Sequence, residues 1–153
     1  MAAQLDGLAT ADAVEIVNTL DPVDAAAVLA ALPAERAVDI LDQPELEGAA
    51  SIVSVMPDDV ATRLLGAVAT DRAADIFGDL DAAVHERLIG RLALSSRRSI
   101  ERLLDYPEGT AGAMMTTEFV AVPATLSVGE TLEHVRHVEK TRETIYAIYV
   151  LAS

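Results

Sequence analysis

The sequence predicts an all-α chain, a superhelix of short helices with a twelve-residue repeat, followed by a partial α/β segment. Three observations predict it. Apolar residues recur in columns twelve apart: Ile16, Val28, Ile40, Ile52, Leu64, Ile76 and Leu88 form one, and Val17, Leu29, Leu41, Val53, Leu65, Phe77 and Ile89 form another. Leu20, Leu32, Met56, Val68, Leu80, Leu92 and Leu104 form a further column, broken only at Pro44. An alanine column runs beside them through Ala13, Ala25, Ala37, Ala49, Ala61 and Ala73. Within one unit these positions are i, i+3, i+4 and i+7, one apolar face of a two-turn helix. Finally, Pro22, Pro33, Pro44 and Pro57 fall every eleven to thirteen residues, which excludes a single long helix or coiled coil. Helices this short are marginal alone, because nucleation is costly and one stripe cannot bury itself. Stacked at a fixed step they share a continuous core, as in a helical solenoid, and the small alanines let neighbours approach closely.

The elements follow in order. Met1 to Ala9 reads as a frayed lead-in, and Thr10 or Asp12 caps a first helix to about Leu20. Helices are expected at Pro22–Ala31, Ala34–Leu41, Glu45–Val55, Asp58–Val68, Asp71–Phe77 and Asp81–Leu92, with Ser95 or Ser96 capping a last one. Asp105-Tyr106-Pro107-Glu108-Gly109 ends that helix, and the periodicity changes. Phe119 to Val122 reads as a short strand closed by Pro123, and Ser127-Val128-Gly129-Glu130 is a capping box that opens a helix bearing Val128, Leu132 and Val135. Ile145 to Leu151 is a second, apolar strand. One strand pair and a helix do not make a stable domain. The expected organisation is a helical domain over residues 1–105, a junction at 106–112, and an incomplete second domain at 113–153, cut inside itself.

Composition narrows the function. The chain has 153 residues, 52% of them hydrophobic and only 3% aromatic, so its core is aliphatic. With no cysteine it has no disulfide framework and no thiolate metal site. A formal net charge of −14 disfavours nucleic acid, whose phosphates need clustered Lys and Arg. No apolar run reaches membrane-spanning length and no basic-then-apolar leader opens the chain, so a soluble intracellular polypeptide is expected. Through Leu80 the only basic residues are Arg36, Arg63 and Arg72, against fifteen carboxylates. Solubility, or a proteome-wide acidic bias as in halophiles, accounts for acidity in bulk; a specific role requires that the acids be placed.

At the junction, Tyr106-Pro107-Glu108-Gly109-Thr110-Ala111-Gly112 and then Met114-Met115-Thr116-Thr117-Glu118-Phe119-Val120-Ala121-Val122 resemble the join between the N-terminal domain and the first CBS domain of the MgtE-type magnesium transporter family. Glu143-Thr144-Ile145-Tyr146-Ala147-Ile148-Tyr149-Val150 looks like that family's first long CBS strand. The helical array is similar to the family's superhelical N-terminal domain, itself reminiscent of armadillo-like domains in a flagellar motor switch protein. The resemblance implies a homodimeric Mg²⁺ channel or transporter whose cytosolic part, the N-terminal domain and two CBS motifs, responds to cytosolic Mg²⁺. Ions held between acidic faces of those domains keep the pore shut. Residues 113–153 are then the start of the first CBS motif, and the partners are the CBS and transmembrane domains of the same transporter, on the cytoplasmic side of the cell membrane. Nucleic acid is not among them, and the role is regulatory rather than enzymatic.

Glu35, Glu47, Asp59 and Asp71 share one phase of the twelve-residue step, which predicts an acidic column. Glu35/Asp39 and Asp71/Asp75 are i, i+4 pairs, two carboxylates on one helix face about 6 Å apart and mildly repelling. A hard divalent cation removes such repulsion, and Mg²⁺ takes one or two carboxylates while keeping several waters. The same column lies in first helical turns, where acids favour the helix dipole without any metal. The resemblance selects Asp71 and Asp75, which match Mg²⁺-associated acids of the family, and Asp39, which matches another acidic position there, and it implies a regulatory Mg²⁺ bound weakly by this segment alone. Glu35, Asp58 and Asp59 have no such support. His85 falls in the alanine phase, a packing position; His134 and His137 lack a third ligand for zinc. Met114 and Met115 read as packing residues at the join. The competing function is a helical-repeat protein-interaction scaffold with no metal role.

Overall fold

The structure, a computed structural model, describes residues 2–107, 109–112, 115, 119–138 and 147–152. They divide into two compact units, residues 1–114 and 115–153. The first unit is helical throughout: α1 (Ala2–Leu5), α2 (Thr10–Asn18), α3 (Pro22–Ala31), α4 (Ala34–Leu41), α5 (Ala49–Ser54), α6 (Asp58–Leu65), α7 (Thr70–Gly78), α8 (Ala82–Ile89) and α9 (Leu94–Leu104). The closest packing is between next-but-one helices: α1 with α3, α2 with α4, α3 with α5, and so on to α7 with α9. The whole alanine column is buried, as is the column of Val17, Leu29, Leu41, Val53, Leu65, Phe77 and Ile89. In the column beginning at Ile16 burial is complete from Ile40 through Leu88, while Ile16 and Val28 are half-exposed at the N-terminal end. No charged or polar side chain is buried among the described residues.

Local chemistry explains the boundaries. α3 and α4 have the expected limits because proline and a cap punctuate them: Asp21 accepts from the backbone N–H groups of Val23 (3.0 Å) and Asp24 (2.9 Å), with Pro22 in the first turn. Four expectations are corrected. The lead-in is not frayed, since α1 buries Leu5 at 1% exposure against the body of the unit. Thr10 does not cap α2; it is the first helical residue, and its hydroxyl accepts from Arg36 at 2.8 Å. α5 begins at Ala49 rather than Glu45, because Gly48 stands in the left-handed region (φ +61°), where a helix cannot run through it. The residues before it are held instead by Asn18, whose side chain donates to the Glu45 carbonyl (2.9 Å) and accepts from the Glu47 N–H (3.0 Å). Neither Ser95 nor Ser96 caps α9, whose cap position falls two to three residues earlier, at Ala93, with Leu94 the first helical residue and no side-chain cap.

The second unit is a strand–helix–strand: β1 (Val120–Pro123), α10 (Val128–Val138) and β2 (Ile148–Leu151). β1 and β2 pair in parallel, Val120 opposite Ile148 and Val122 opposite Val150. Residues 145 and 146, part of the strand expected from the sequence, lie outside the described residues, as does Met114. The capping box forms, with Ser127 N–H and Oγ donating to Glu130 Oε2 at 2.8 and 2.6 Å. Val120 and Val122 are buried, whereas α10 buries none of its residues and β2 is exposed along its length.

Candidate functional site

α7 carries the site. Ala73, Ala74, Ile76 and Phe77 turn its apolar face into the core, so Asp71, Asp75 and the C-cap Asp79 are left along its other side, one turn apart. Asp71 is half-buried, and its Oδ1 is fully covered without a hydrogen-bond partner. A polar oxygen withdrawn from water with no donor is costly, and such a group calls for a cation or a water. Asp75 is exposed as a residue, yet its carboxyl lies partly withdrawn along a cleft of about 540 Å³ between α7 and α9. Arg72, Ala74, Gly78, Asp79, Leu103, Leu104 and Tyr106 complete the lining. Burial raises the Asp75 pKa above the ordinary aspartate value of 3.8; the Arg72 guanidinium pulls it back, and Asp71 and Asp79 push it up again. The junction residue Tyr106 packs on the bare backbone of Gly112, where an added Cβ would stand 2.3 Å from its ring.

Asp39 stands exposed on α4, two residues before that helix ends, and the backbone carbonyl of Asp39 accepts from the Gln43 side chain at 3.1 Å. The end of α4 meets the start of α7: Asp42, the C-cap of α4, accepts the N–H of Ala69, which precedes α7, at 2.9 Å. Arg72 adds bonds to the carbonyls of Leu41 (3.0 Å), Gln43 (3.0 Å) and Leu46 (3.3 Å). Thus the structure puts Asp71 and Asp75 on one helix and Asp39 on the helix fastened to its start. Among the described residues no three His, Cys, Asp or Glu side chains gather closely enough to hold a metal ion by themselves. The donors that are present, oxygen-only and carboxylate, fit a hard cation that retains most of its water.

The remaining acids and histidines are placed elsewhere. Asp58 is taken up by Arg87 (3.0 Å) and Arg91 (3.3 Å) on the α8 side. Glu35 and Asp59 are exposed surface acids. His85 packs edge-on against Phe77, ring centroids 5.2 Å apart, and its Nδ1–H donates to the Phe77 carbonyl at 3.0 Å. His134 and His137 are exposed on α10. Sequence reasoning missed Arg36, Arg72, Asp42 and Asp79. The arginines carried a usable signal, a repeated Arg-Ala-x-Asp-Ile at Arg36 and Arg72, three twelve-residue steps apart.

Residues 8–109 match the family model of the MgtE intracellular N domain, and the chain belongs to that family. Two curated relatives are magnesium transporters named MgtE. The one from Thermus thermophilus is 43% identical over 56 residues, 37% of this chain and 12% of the relative. The one from Enterococcus faecalis is 42% identical over 52 residues, 34% of this chain and 12% of the relative. Those alignments span about an eighth of each relative's length. Among solved structures, the cytosolic domain of the Mg²⁺ channel MgtE in complex with ATP superposes with a TM-score of 0.87 at 29% identity, over 98% of this chain and 62% of that one. The soluble part of a magnesium transporter gives 0.84 at 26% identity, over 97% and 59%. No helix among the described residues is long and apolar enough to cross a membrane.

Proposed function

We propose that this chain is the cytosolic, Mg²⁺-responsive regulatory part of an MgtE-type magnesium transporter. In this proposal α2–α9 stack as a right-handed, armadillo-like superhelix through Asp105, residues 106–112 form the junction, and residues 113–153 open the first CBS motif. The transporter is a homodimer, and this chain lies on the cytoplasmic side of its membrane domain. The observation that carries the proposal is the covered, unpartnered Oδ1 of Asp71 one turn from the partly withdrawn carboxyl of Asp75.

Asp71, Asp75 and Asp39 give the domain an acidic face that docks on an acidic CBS face. Bound between them, Mg²⁺ supplies two positive charges at close range. In its absence the facing carboxylates repel by about 1 kcal/mol or less per close pair in a wet interface, and the faces part. In its presence carboxylates from both faces accept hydrogen bonds from the same hydration shell, the domains dock, and the pore closes. A ligand shifts such an equilibrium only through its differential affinity for the two arrangements, and a face that supplies half of each site has that property. Weak, millimolar binding is therefore expected of this segment alone. A second reading, a scaffold for protein partners with no metal role, draws on the α7–α9 cleft, where Leu103, Leu104 and Tyr106 form an apolar wall.

The test is made in the full-length transporter. Asp71→Asn with Asp75→Asn leaves fold and pore intact and raises the Mg²⁺ concentration needed for closure. Closure of that double variant at the wild-type concentration makes these carboxylates ordinary surface charges and favours the scaffold.

A further inference from the structure

Arg36 and Arg72 occupy the same position in two copies of one local sequence, Glu35-Arg36-Ala37-Val38-Asp39-Ile40 and Asp71-Arg72-Ala73-Ala74-Asp75-Ile76. Each reaches back to the end of a helix three helices earlier. From α4, Arg36 donates to the carbonyls of Leu5 (3.2 Å from Nη2) and Leu8 (2.7 Å), at and beyond the end of α1, and to the Thr10 hydroxyl (2.8 Å). From α7, Arg72 donates to Leu41 (3.0 Å), Gln43 (3.0 Å) and Leu46 (3.3 Å) at and beyond the end of α4. Both groups are part-buried, and they supply donors to the carbonyls that a helix C-terminus leaves open. The site also suits a positive charge, since it lies at the negative end of the helix dipole. A planar fork of fixed donors sets both distance and rotation, which a single ammonium does not.

Three residues beyond each arginine, on the neighbouring turn of the same side, stands a candidate carboxylate: Asp39 after Arg36 and Asp75 after Arg72. The tie from Arg72 also ends on α4, the helix that carries Asp39. We propose that Arg36 and Arg72 are positioning residues for the acidic face: each guanidinium, clamped in a cage of backbone oxygens, fixes the rotation of the helix that presents the carboxylate three residues on. This rests on the magnesium reading above. Carbonyl oxygens, rather than the neighbouring acids, take the donors described here, so the carboxylates stay available to a cation.

Arg→Lys separates position from charge, because it keeps the charge and loses the fork. In the full-length transporter, the Mg²⁺ concentration for half-closure is compared in wild type, R36K, R72K, R72Q and R87K, at a temperature where melting curves show each variant folded. Positioning predicts that R36K and R72K raise that concentration by about tenfold, the low end of what losing an outer-shell support costs a metal site. R72Q raises it at least as far, and R87K, whose arginine pairs with Asp58 elsewhere, leaves it unchanged. R72K closing at the wild-type concentration with only a lowered melting temperature reduces the arginine to a structural tie and overturns the proposal. R72Q closing at a lower concentration than wild type also overturns it, since the arginine then acts as a competing charge. If the Asp71/Asp75 double variant closes normally, the magnesium reading fails and takes this proposal with it. If that double variant shifts closure and R72K does not, positioning alone has failed.

Discussion

Ala61 shows how little room a single residue has in this unit. It is fully buried, and the alanines twelve residues to either side, Ala49 and Ala73, are buried as well. Ala61→Leu forces three carbons into close-packed space and is expected to cost about 1–3 kcal/mol. That lowers the melting temperature by several degrees in a urea- or heat-unfolding series, while Ala83→Leu on the exposed side of α8 stays within about 0.5 kcal/mol. An unchanged melt for Ala61→Leu would place the alanine column away from helix contacts. The alanine was legible because burial leaves a periodic trace in composition. Arg36 and Arg72 were not, because charge counting sets them among fifteen acids as counter-ions, whereas their donors go to main-chain carbonyls that no side-chain pattern displays. Nor does the spacing by itself tell Asp71 from Glu35. Both stand in first turns, but only Asp71 has an oxygen covered and unpartnered.

For the helices and strands, punctuation decided what could be foreseen. α3 and α4 keep their expected limits because Asp21, Pro22 and Pro33 act within a few residues, where sequence is informative. α5 does not, because Asn18, on another helix, holds the chain that precedes it. Asp21→Ala should therefore cost about 1 kcal/mol, and Ser95→Ala, which removes no cap, next to nothing. Equal effects in chemical denaturation would contradict the assigned caps. In α10 the hydrogen bonds from the Ser127 side chain and backbone hold the Glu130 carboxyl below the ordinary glutamate value of 4.5. A depressed carboxyl contributes stability above its unfolded value and loses it as pH falls through the folded one. Amide-exchange protection in the first turn of α10 should thus drop on acidification below about 4.5, and Glu130→Gln should flatten that dependence.

At the scale of the whole molecule the net charge of −14 makes the compact state repel itself. Raising monovalent salt toward 0.1 M, where the screening length falls to about 10 Å, should raise the melting temperature. MgCl2 at equal ionic strength should raise it further, and Asp71→Asn with Asp75→Asn should remove that excess while leaving the monovalent response. Identical curves in the two salts would show screening without a divalent site. Residues 1–114 form a unit of their own, so deletion of residues 115–153 should leave its melting transition in place. The second unit is a different case: α10 buries nothing and β2 is exposed, which explains why its elements were legible and its role was not. A strand pair and one helix display their local signals without the packing partners that would give them a use.

The two arginine ties limit where the helical array can change length. Packing repeats with every helix, but Arg36 and Arg72 repeat after three, spaced by 36 residues, and each needs a helix end at the right distance behind it. Inserting one helix between α4 and α7 would carry Arg72 past the carbonyls of Leu41 and Gln43, and α6 offers only Val60 at the same phase. A set of three would keep the match only by carrying an arginine of its own at that phase. Helices added beyond α7 would disturb neither tie, so this array can change length at that end more freely than across the spans from α1 to α4 and from α4 to α7.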